Sequence, residues 1–345
     1  MEEEIKFYNA VNLACNGEYF KTKSFRDRSS SWAGAWQTLE KEQNSKINPD
    51  KELKKLRALE IDLILKDDLS YPPLLKEICW PPLGLYVRGD ISIARQPAVA
   101  IVGTRKATTQ GLKIAEKLAM ELSQKLIIVS GLALGIDEAA HRGTVSVRRK
   151  TVAVIACGLE RIYPAQNKNL ADQIIKMGGA IISEYLLGTL TFPNHFLERN
   201  RIISGLALGT IVVEAPEKSG ALATAKFALE QNRDVFAVPG PIYHQNSSGV
   251  NNLLKMGAYV VTEANDVFNC LNLPENFIQE TDGRLPLFDD DNQKNIFISI
   301  KSSSSPITID KISEMTKLTP QTVNQSLSLL IINNLVKESG GRYYI

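Results

Sequence analysis

The sequence predicts an α/β protein built on a doubly wound, mostly parallel sheet, with a small N-terminal helical domain and a C-terminal winged helix. Three observations point there. Between Ala98 and Val261, short apolar or β-branched runs alternate with helical stretches. Runs of this kind suit strands covered on both faces, and strand–helix alternation joins parallel neighbours by right-handed crossovers. The turns after these runs are small or charged: Gly103-Thr104-Arg105, Ser130-Gly131, Cys157-Gly158, Ser183-Glu184 and Pro239-Gly240. Finally, the segment after residue 291 reads as three helices and a hairpin.

Taken in order, residues 1–65 read as a small helical domain of the SAM or helix-hairpin-helix kind. Asn48 before Pro49 fits an N-cap with proline at the first helical position. Leu53, Leu56, Leu59 and Ile61 extend a helical stripe, and Trp32 and Trp36, four apart, are expected to pack. Residues 66–270 form the sheet domain. Its entry is proline-rich, with Tyr71-Pro72-Pro73 and Trp80-Pro81-Pro82, and leads into a short strand near Leu85–Asp90. Seven runs then supply strands: 98–102, 126–129, 151–156, 180–182, 210–213, 235–238 and 258–261. Helices such as 112–123 and 221–231 separate them. Residues 271–291 form a linker with Pro274, Asp282-Gly283 and Asp289-Asp290-Asp291. Residues 292–345 form the winged helix. Its helices lie near 296–300, 309–315 and 322–335, Thr308 caps the second, and a hairpin turns at Gly340-Gly341.

The 345 residues suffice for one large α/β domain and one or two small ones. With 44% hydrophobic and 23% charged residues the composition is ordinary, and a net charge of +2 means that any basic surface is local. Cys15, Cys79, Cys157 and Cys270 are scattered without a CxxC pair, which argues against a disulfide framework or a metal site. Met1-Glu2-Glu3-Glu4 is acidic with no apolar stretch behind it, and no apolar run approaches the roughly 18 residues of a membrane span. The expectation is a cytoplasmic protein with no membrane span, no metal and no cofactor.

Function in an open α/β sheet gathers outside the carboxyl ends of the strands. In Gly103-Thr104-Arg105, glycine allows close backbone approach and arginine offers a planar fork for phosphate oxygens. Thr108, Thr109 and the amides at the following helix start add donors. GxGxxG and GxxxxGK[ST] are both missing. Ser130-Gly131 stands where a dinucleotide enzyme places its ribose-binding acid, which argues against a dehydrogenase. Asp137 reads as a charge at a helix start, and His141 as structural. Arg199-Asn200-Arg201 is read as lying at the start of a helix, where cations are disfavoured. Each arginine therefore needs a partner, either an internal carboxylate such as Glu184 or Glu214, or a bound phosphate. Ser219-Gly220 opens another helix as an anion nest, and Lys168 follows Tyr163-Pro164. No general base, metal cluster or Ser/His/Asp arrangement accompanies these groups.

In order and content these segments resemble the DNA-processing protein A family (DprA, also called Smf). The resemblance runs over about residues 70–268. It is carried by Tyr71-Pro72, Pro81-Pro82 with Leu85-Tyr86, Gly103-Thr104-Arg105, Ser130-Gly131 through Gly135-Ile136-Asp137, Gly158, and Tyr163-Pro164. It continues through Ile182-Ser183-Glu184, Arg199-Asn200-Arg201-Ile202-Ile203, Val213-Glu214-Ala215, Ser219-Gly220-Ala221, Arg233, Val235–Gly240 and Gly257-Ala258. It implies an extended Rossmann-like fold that binds single-stranded DNA, protects incoming DNA during natural transformation, helps load the RecA recombinase and acts as a homodimer. The family's glycine–arginine loop maps onto Gly103–Arg105 and its arginine–asparagine–arginine motif onto Arg199–Arg201. Leu197 replaces a frequent proline. Ala165 replaces a lysine whose role passes to Lys168.

The expected single-strand site is therefore Gly103, Thr104, Arg105, Ser130, Gly131, Lys168, Arg199, Asn200, Arg201, Ser219 and Gly220. Arg105, Lys168, Arg199 and Arg201 would hold phosphates, and no residue would be catalytic. A rival is a nucleotide phosphoribohydrolase resembling the lysine-decarboxylase-like family, whose GGxGTxxE signature carries a catalytic glutamate. Here Ser219–Thr224 fills that stretch and Phe227 takes the glutamate position. A third possibility is a transcription regulator working through the winged helix. Its third helix, 322–335, contains no Lys or Arg, which favours protein contact over duplex reading.

Overall fold

The computed structural model describes residues 2–271, 290–303, 306–332 and 335–344. The chain divides into two compact units, Met1–Gln279 and Glu280–Ile345.

The first unit is organised by nine strands among its described residues: β1 (Asp62–Leu65), β2 (Gly84–Gly89), β3 (Ala98–Val102), β4 (Ile127–Ser130), β5 (Thr151–Val154), β6 (Ala180–Ser183), β7 (Gly209–Val212), β8 (Asp234–Ala237) and β9 (Tyr259–Val260). Their order is β1-β2-β6-β5-β4-β3-β7-β8-β9. Strands β3 to β9 run parallel, while β2 is antiparallel to β6 and β1 to β2. Every residue of β3 to β7 is buried, as the continuous apolar runs require.

Among the described residues, twelve α-helices accompany the sheet: α1 (Glu2–Ala14), α2 (Tyr19–Asp27), α3 (Trp32–Gln43), α4 (Pro49–Ala58), α5 (Pro73–Lys76), α6 (Thr109–Leu122), α7 (Ile136–Ser146), α8 (Lys168–Lys176), α9 (Pro193–Gly205), α10 (Gly220–Glu230), α11 (Ser248–Lys255) and α12 (Ala264–Leu271). Strand residues alternate between the two faces. Ala98, Ala100 and Val102 pack with Ile202 and Ile203 of α9, Leu206 just after it, and Ala221 and Ala225 of α10. Val99 and Ile101 pack with Ala115, Leu118 and Leu122 of α6, Ile136 and Ala140 of α7, and Val267 of α12. That alternation makes the sheet doubly wound.

The N-terminal helices share a core with the sheet. Tyr8, Trp32, Trp36 and Leu39 pack in one cluster with Ile155, Ile181 and Leu170. The Tyr86 hydroxyl on β2 donates to Asn9 Oδ1 at 2.8 Å. Trp32 stands edge-on to Tyr8 at 4.8 Å, and Asn48 accepts from the Lys51 amide, with Pro49 at the first helical position. The helical stripe, however, does not run to Ile61. Helix α4 ends at Ala58, Glu60 takes a left-handed φ of 54°, and Ile61, Leu63 and Leu65 are buried at period two, the last two within β1 of the main sheet. Four residues are too few for periodicity to separate strand from helix.

In the second unit, α13 (Asp291–Lys301), α14 (Ile309–Thr316) and α15 (Pro320–Ile332) pack through Ile296, Ile312, Val323, Leu327 and Leu330. The hairpin β10 (Lys337–Ser339) and β11 (Arg342–Tyr344) completes it. Asp290 caps α13 by accepting from the Gln293 amide, whereas the Thr308 side chain makes no capping bond. Most of the expected linker, residues 272–289, lies outside the described residues. Among the described residues no helix is long and apolar enough to cross a membrane.

Candidate nucleic-acid interface

The chain leaves β3 and β7 in opposite directions, so their carboxyl ends form the crevice in which open α/β sheets hold ligands. Here an internal carboxylate takes that place. Glu214, just beyond β7, accepts from the Thr108 amide at 2.9 Å, from the Thr108 hydroxyl, and from Asn246 Nδ2 at 3.2 Å. Thr108 in turn caps α6 by accepting from the Gly111 amide. A Cβ on Gly111 would stand 2.4 Å from Glu214 Cδ, so glycine there admits the carboxylate. The Thr108 donors, expected to face a phosphate, are thus spent on Glu214, whose charge answers the helix dipole from within.

The open cleft lies one strand over, at the ends of β3, β4 and β5. Gly131, Ala133 and Ala156 form its floor, and Arg105, Leu134, Tyr163, Pro164, Thr191 and Phe196 its walls. The Arg105 guanidinium sits over the Phe196 ring at 4.6 Å, and the Tyr163 ring is 5.7 Å from Phe196. Such a cation–π contact is worth about 0.5–1 kcal/mol at an exposed site. Arg105 is exposed and has no carboxylate within 4 Å among the described residues. Beside it Tyr185 stacks on His195 at 4.4 Å, and the exposed Phe192 meets His195 edge-on.

The glycines of this rim are required from beneath. A Cβ on Gly103 would meet Ile136 at 2.5 Å, and one on Gly131 would meet Arg199 Nη1 at 2.3 Å. Ser130 is fully buried, its hydroxyl donating to Ile101 O at 2.6 Å. Thr104 Oγ1 accepts from the Lys106 amide, and Ser219 Oγ from the Ala221 amide. Around the ideal Cβ position of Gly220 the space is open.

The Arg199–Arg201 motif corrects the expectation of a helix start. Pro193 begins α9 nearly two turns earlier, and all three residues are buried in mid-helix. Arg199 donates to Gly131 O at 2.7 Å and to Val154 O, tying the β4 loop to β5. Burial pushes Arg199 down to about 10, and the Asp137 carboxylate opposes that shift. Asp137 accepts from the Gly131 amide at 3.2 Å; burial pushes its carboxyl up, against the pull of Arg199. Arg201 makes a two-pronged contact with Glu184 at 2.7 and 2.6 Å, so its partner is the internal carboxylate. Asn200 Nδ2 donates to Gly220 O at 3.1 Å, joining α9 to the start of α10.

Two further residues stand apart from the cleft. Lys168 is exposed, pairs with Asp172 at 2.9 Å and does not line the cleft. His141 is fully buried, with Nδ1 2.9 Å from Thr151 Oγ1, whose hydroxyl donates to Ile128 O. The histidine is therefore the Nδ1–H tautomer, and burial pushes its pKa down to about 3. The cleft thus brings together Arg105 and Gly131 of the expected set, with Arg199 beneath them. Sequence reasoning missed Phe196 and Tyr163. The signal was available, since Phe196 lies three residues before Arg199 and so shares its helix face.

Comparison with known proteins identifies the family. Residues 62–272 match the family described as DNA recombination-mediator protein A. The chain is 44% identical over 200 residues to DNA processing protein DprA of Streptococcus pneumoniae, across 58% of this chain and 71% of that protein. The crystal structure of that species' DprA superposes with a TM-score of 0.60 at 38% identity, over 69% of this chain and 80% of the other. A Helicobacter pylori DNA processing protein A structure, described for its unique single-stranded DNA binding mode, superposes with a TM-score of 0.56 at 31% identity. It covers 62% of this chain and 96% of its own. The chain belongs to the DNA recombination-mediator protein A family.

Proposed function

We propose that the cleft holds single-stranded DNA without cutting or modifying it, and that the protein acts as a recombination mediator. The observation that carries this reading is Arg105, exposed, unpaired with any described carboxylate and held over an aromatic ring. A cation on a stacking platform suits a strand whose bases are unpaired, because every base offers a π-face. Arg105 contacts phosphate while Phe196 and Tyr163 stack bases. Lys168, outside the cleft, meets the strand farther along by releasing Asp172, since an exposed pair of this kind costs little to break. Gly103, Thr104, Ser130, Gly131, Ser219 and Gly220 shape the backbone of the rim. Arg199, Asn200 and Arg201 act from beneath as positioning residues.

Loading of RecA, protection of DNA entering during natural transformation and assembly as a homodimer are part of the same proposal, and rest on family membership. The absence of Lys and Arg from α15 among its described side chains favours a protein partner for the second unit. Fluorescence anisotropy with a dT oligonucleotide, a duplex and a nucleoside monophosphate tests the cleft at several salt concentrations. Tighter binding of the single strand is expected. Preference for the monophosphate, with release of free base, overturns the reading in favour of the phosphoribohydrolase.

A further inference from the structure

The opposite end of the sheet carries a charge pattern that the cleft does not use. Strand β2 is antiparallel to β6, so its last residues lie beside the amino end of β6, with Arg88 opposite Ile181 and Gly89 opposite Ala180. The amino ends of β5, β4 and β3 continue the same edge. Along it stand Arg88, Arg95, Lys125, Arg148, Arg149, Lys150 and Lys176. The edge is stitched together: the Asp90 amide donates to Gly179 O at 3.1 Å and the Ile127 amide to Pro97 O at 2.9 Å. Lys150 lies across the turn after α8, its Nζ 3.6 Å from where a Cβ on Gly178 would be. At about 4.8 Å per strand, these five strand ends span about 19 Å.

Helix termini explain only part of this charge. Helices α6, α7 and α8 end at this edge, and each carboxyl terminus presents about half a negative charge. Glu60, Asp62 and Asp90 are the carboxylates of the adjoining strand ends, and Glu121 pairs with Lys117 at 3.8 Å. With Arg149 left out, the other six cations exceed those charges by roughly one to two. Among the described residues, no carboxylate lies within 4 Å of Arg88, Arg95, Arg148, Lys150 or Lys176. The edge ends where Arg233 is taken up by Glu77 at 2.8 Å.

We propose that this edge is a second nucleic-acid surface, one that contacts only the phosphate backbone. The turn segments 88–97, 124–126, 147–150 and 176–180 contain no Phe, Tyr, Trp or His, and the half-buried Phe268 ring of α12 is covered by Lys125 at 5.2 Å, so the edge offers no open platform for an unpaired base. A surface of cations without an open ring takes single strands and duplexes alike, in contrast to the cleft. The two surfaces lie at opposite ends of the same strands, so one molecule can hold a single strand at one end and a second DNA segment at the other.

The test uses the full chain, a labelled duplex and the salt dependence of its binding. Removing one cation that neutralises a duplex phosphate lowers the log–log salt slope by about 0.9. The variant Arg95→Ala/Lys150→Ala/Lys176→Ala is expected to lower it by roughly 2.7 and to weaken binding at low salt at least about tenfold. Arg95→Lys/Lys150→Arg/Lys176→Arg, which keeps every charge, is expected to bind duplex like the unmodified chain. Arg105→Ala is expected to leave the duplex slope unchanged, which separates failure here from failure at the cleft. An unmodified chain that does not bind duplex, an alanine variant with unchanged slope, or equal loss in the charge-conserving variant overturns the proposal.

Discussion

Replacing Arg199 by methionine separates an arginine that frames the cleft from one that binds phosphate. The side chain is buried and bonded to Gly131 O and Val154 O, with the Asp137 carboxylate as its counter-charge. Removing one partner of a buried charge pair costs about 3–5 kcal/mol. Two orphaned carbonyls, at about 1–3 kcal/mol each, hold the loss toward the upper end of that range. For a unit of this size each kcal/mol lowers Tm by about 2–4 °C, so a fall of about 6–20 °C is expected. The loss also acquires a pH dependence. Asp137 has a raised folded-state pKa, so its contribution falls as pH rises from the ordinary carboxylate range through that pKa. Removing Arg199 raises it further. The deficit of Arg199→Met should therefore be smaller near about pH 5 than near about pH 8. Thermal unfolding at both pH values, with single-strand titrations well below Tm, is the assay. An unchanged Tm together with a salt slope reduced by about 0.7 would make Arg199 a phosphate ligand and refute the framing role.

Phe196→Ala removes the ring beneath Arg105 and is expected to weaken single-strand binding by about 1–3 kcal/mol while lowering the salt slope little, as anisotropy at two salt concentrations will read. His141 is held neutral by burial at a pKa of about 3, so the stability it contributes is complete above about pH 6.5 and lost as pH falls toward 3. Denaturant unfolding should show about 2 kcal/mol lost between about pH 6.5 and 5, and His141→Asn should flatten that slope. Glu184→Ala leaves the Arg201 fork buried and unpaired, with an expected loss of about 3–5 kcal/mol in the same measurement.

The parallel strands were legible because burial on both faces writes itself as unbroken apolar runs, and β3 coincides with its run, Ala98–Val102. Strand β1 was not legible, because Ile61 reads as the tail of the stripe Leu53, Leu56 and Leu59, and four strand residues are too few to show period two. The site was half legible. Arg105 stands at a strand exit, where position alone marks it. Arg199 and Arg201 carry the same charge, yet their roles depend on Gly131 and Val154 and on Glu184, partners distant in sequence. Glu214 illustrates the same limit: only the folded chain brings it to Thr108.

The most direct measurement is the salt dependence of single-stranded DNA binding by the unmodified chain and by Arg105→Ala. If Arg105 holds a phosphate at the cleft, the variant binds more weakly, its log–log slope falls by about 0.7 and its Tm is unchanged. Equal affinity and equal slope in the two proteins would contradict a phosphate contact at Arg105 and remove the cleft as the single-strand site.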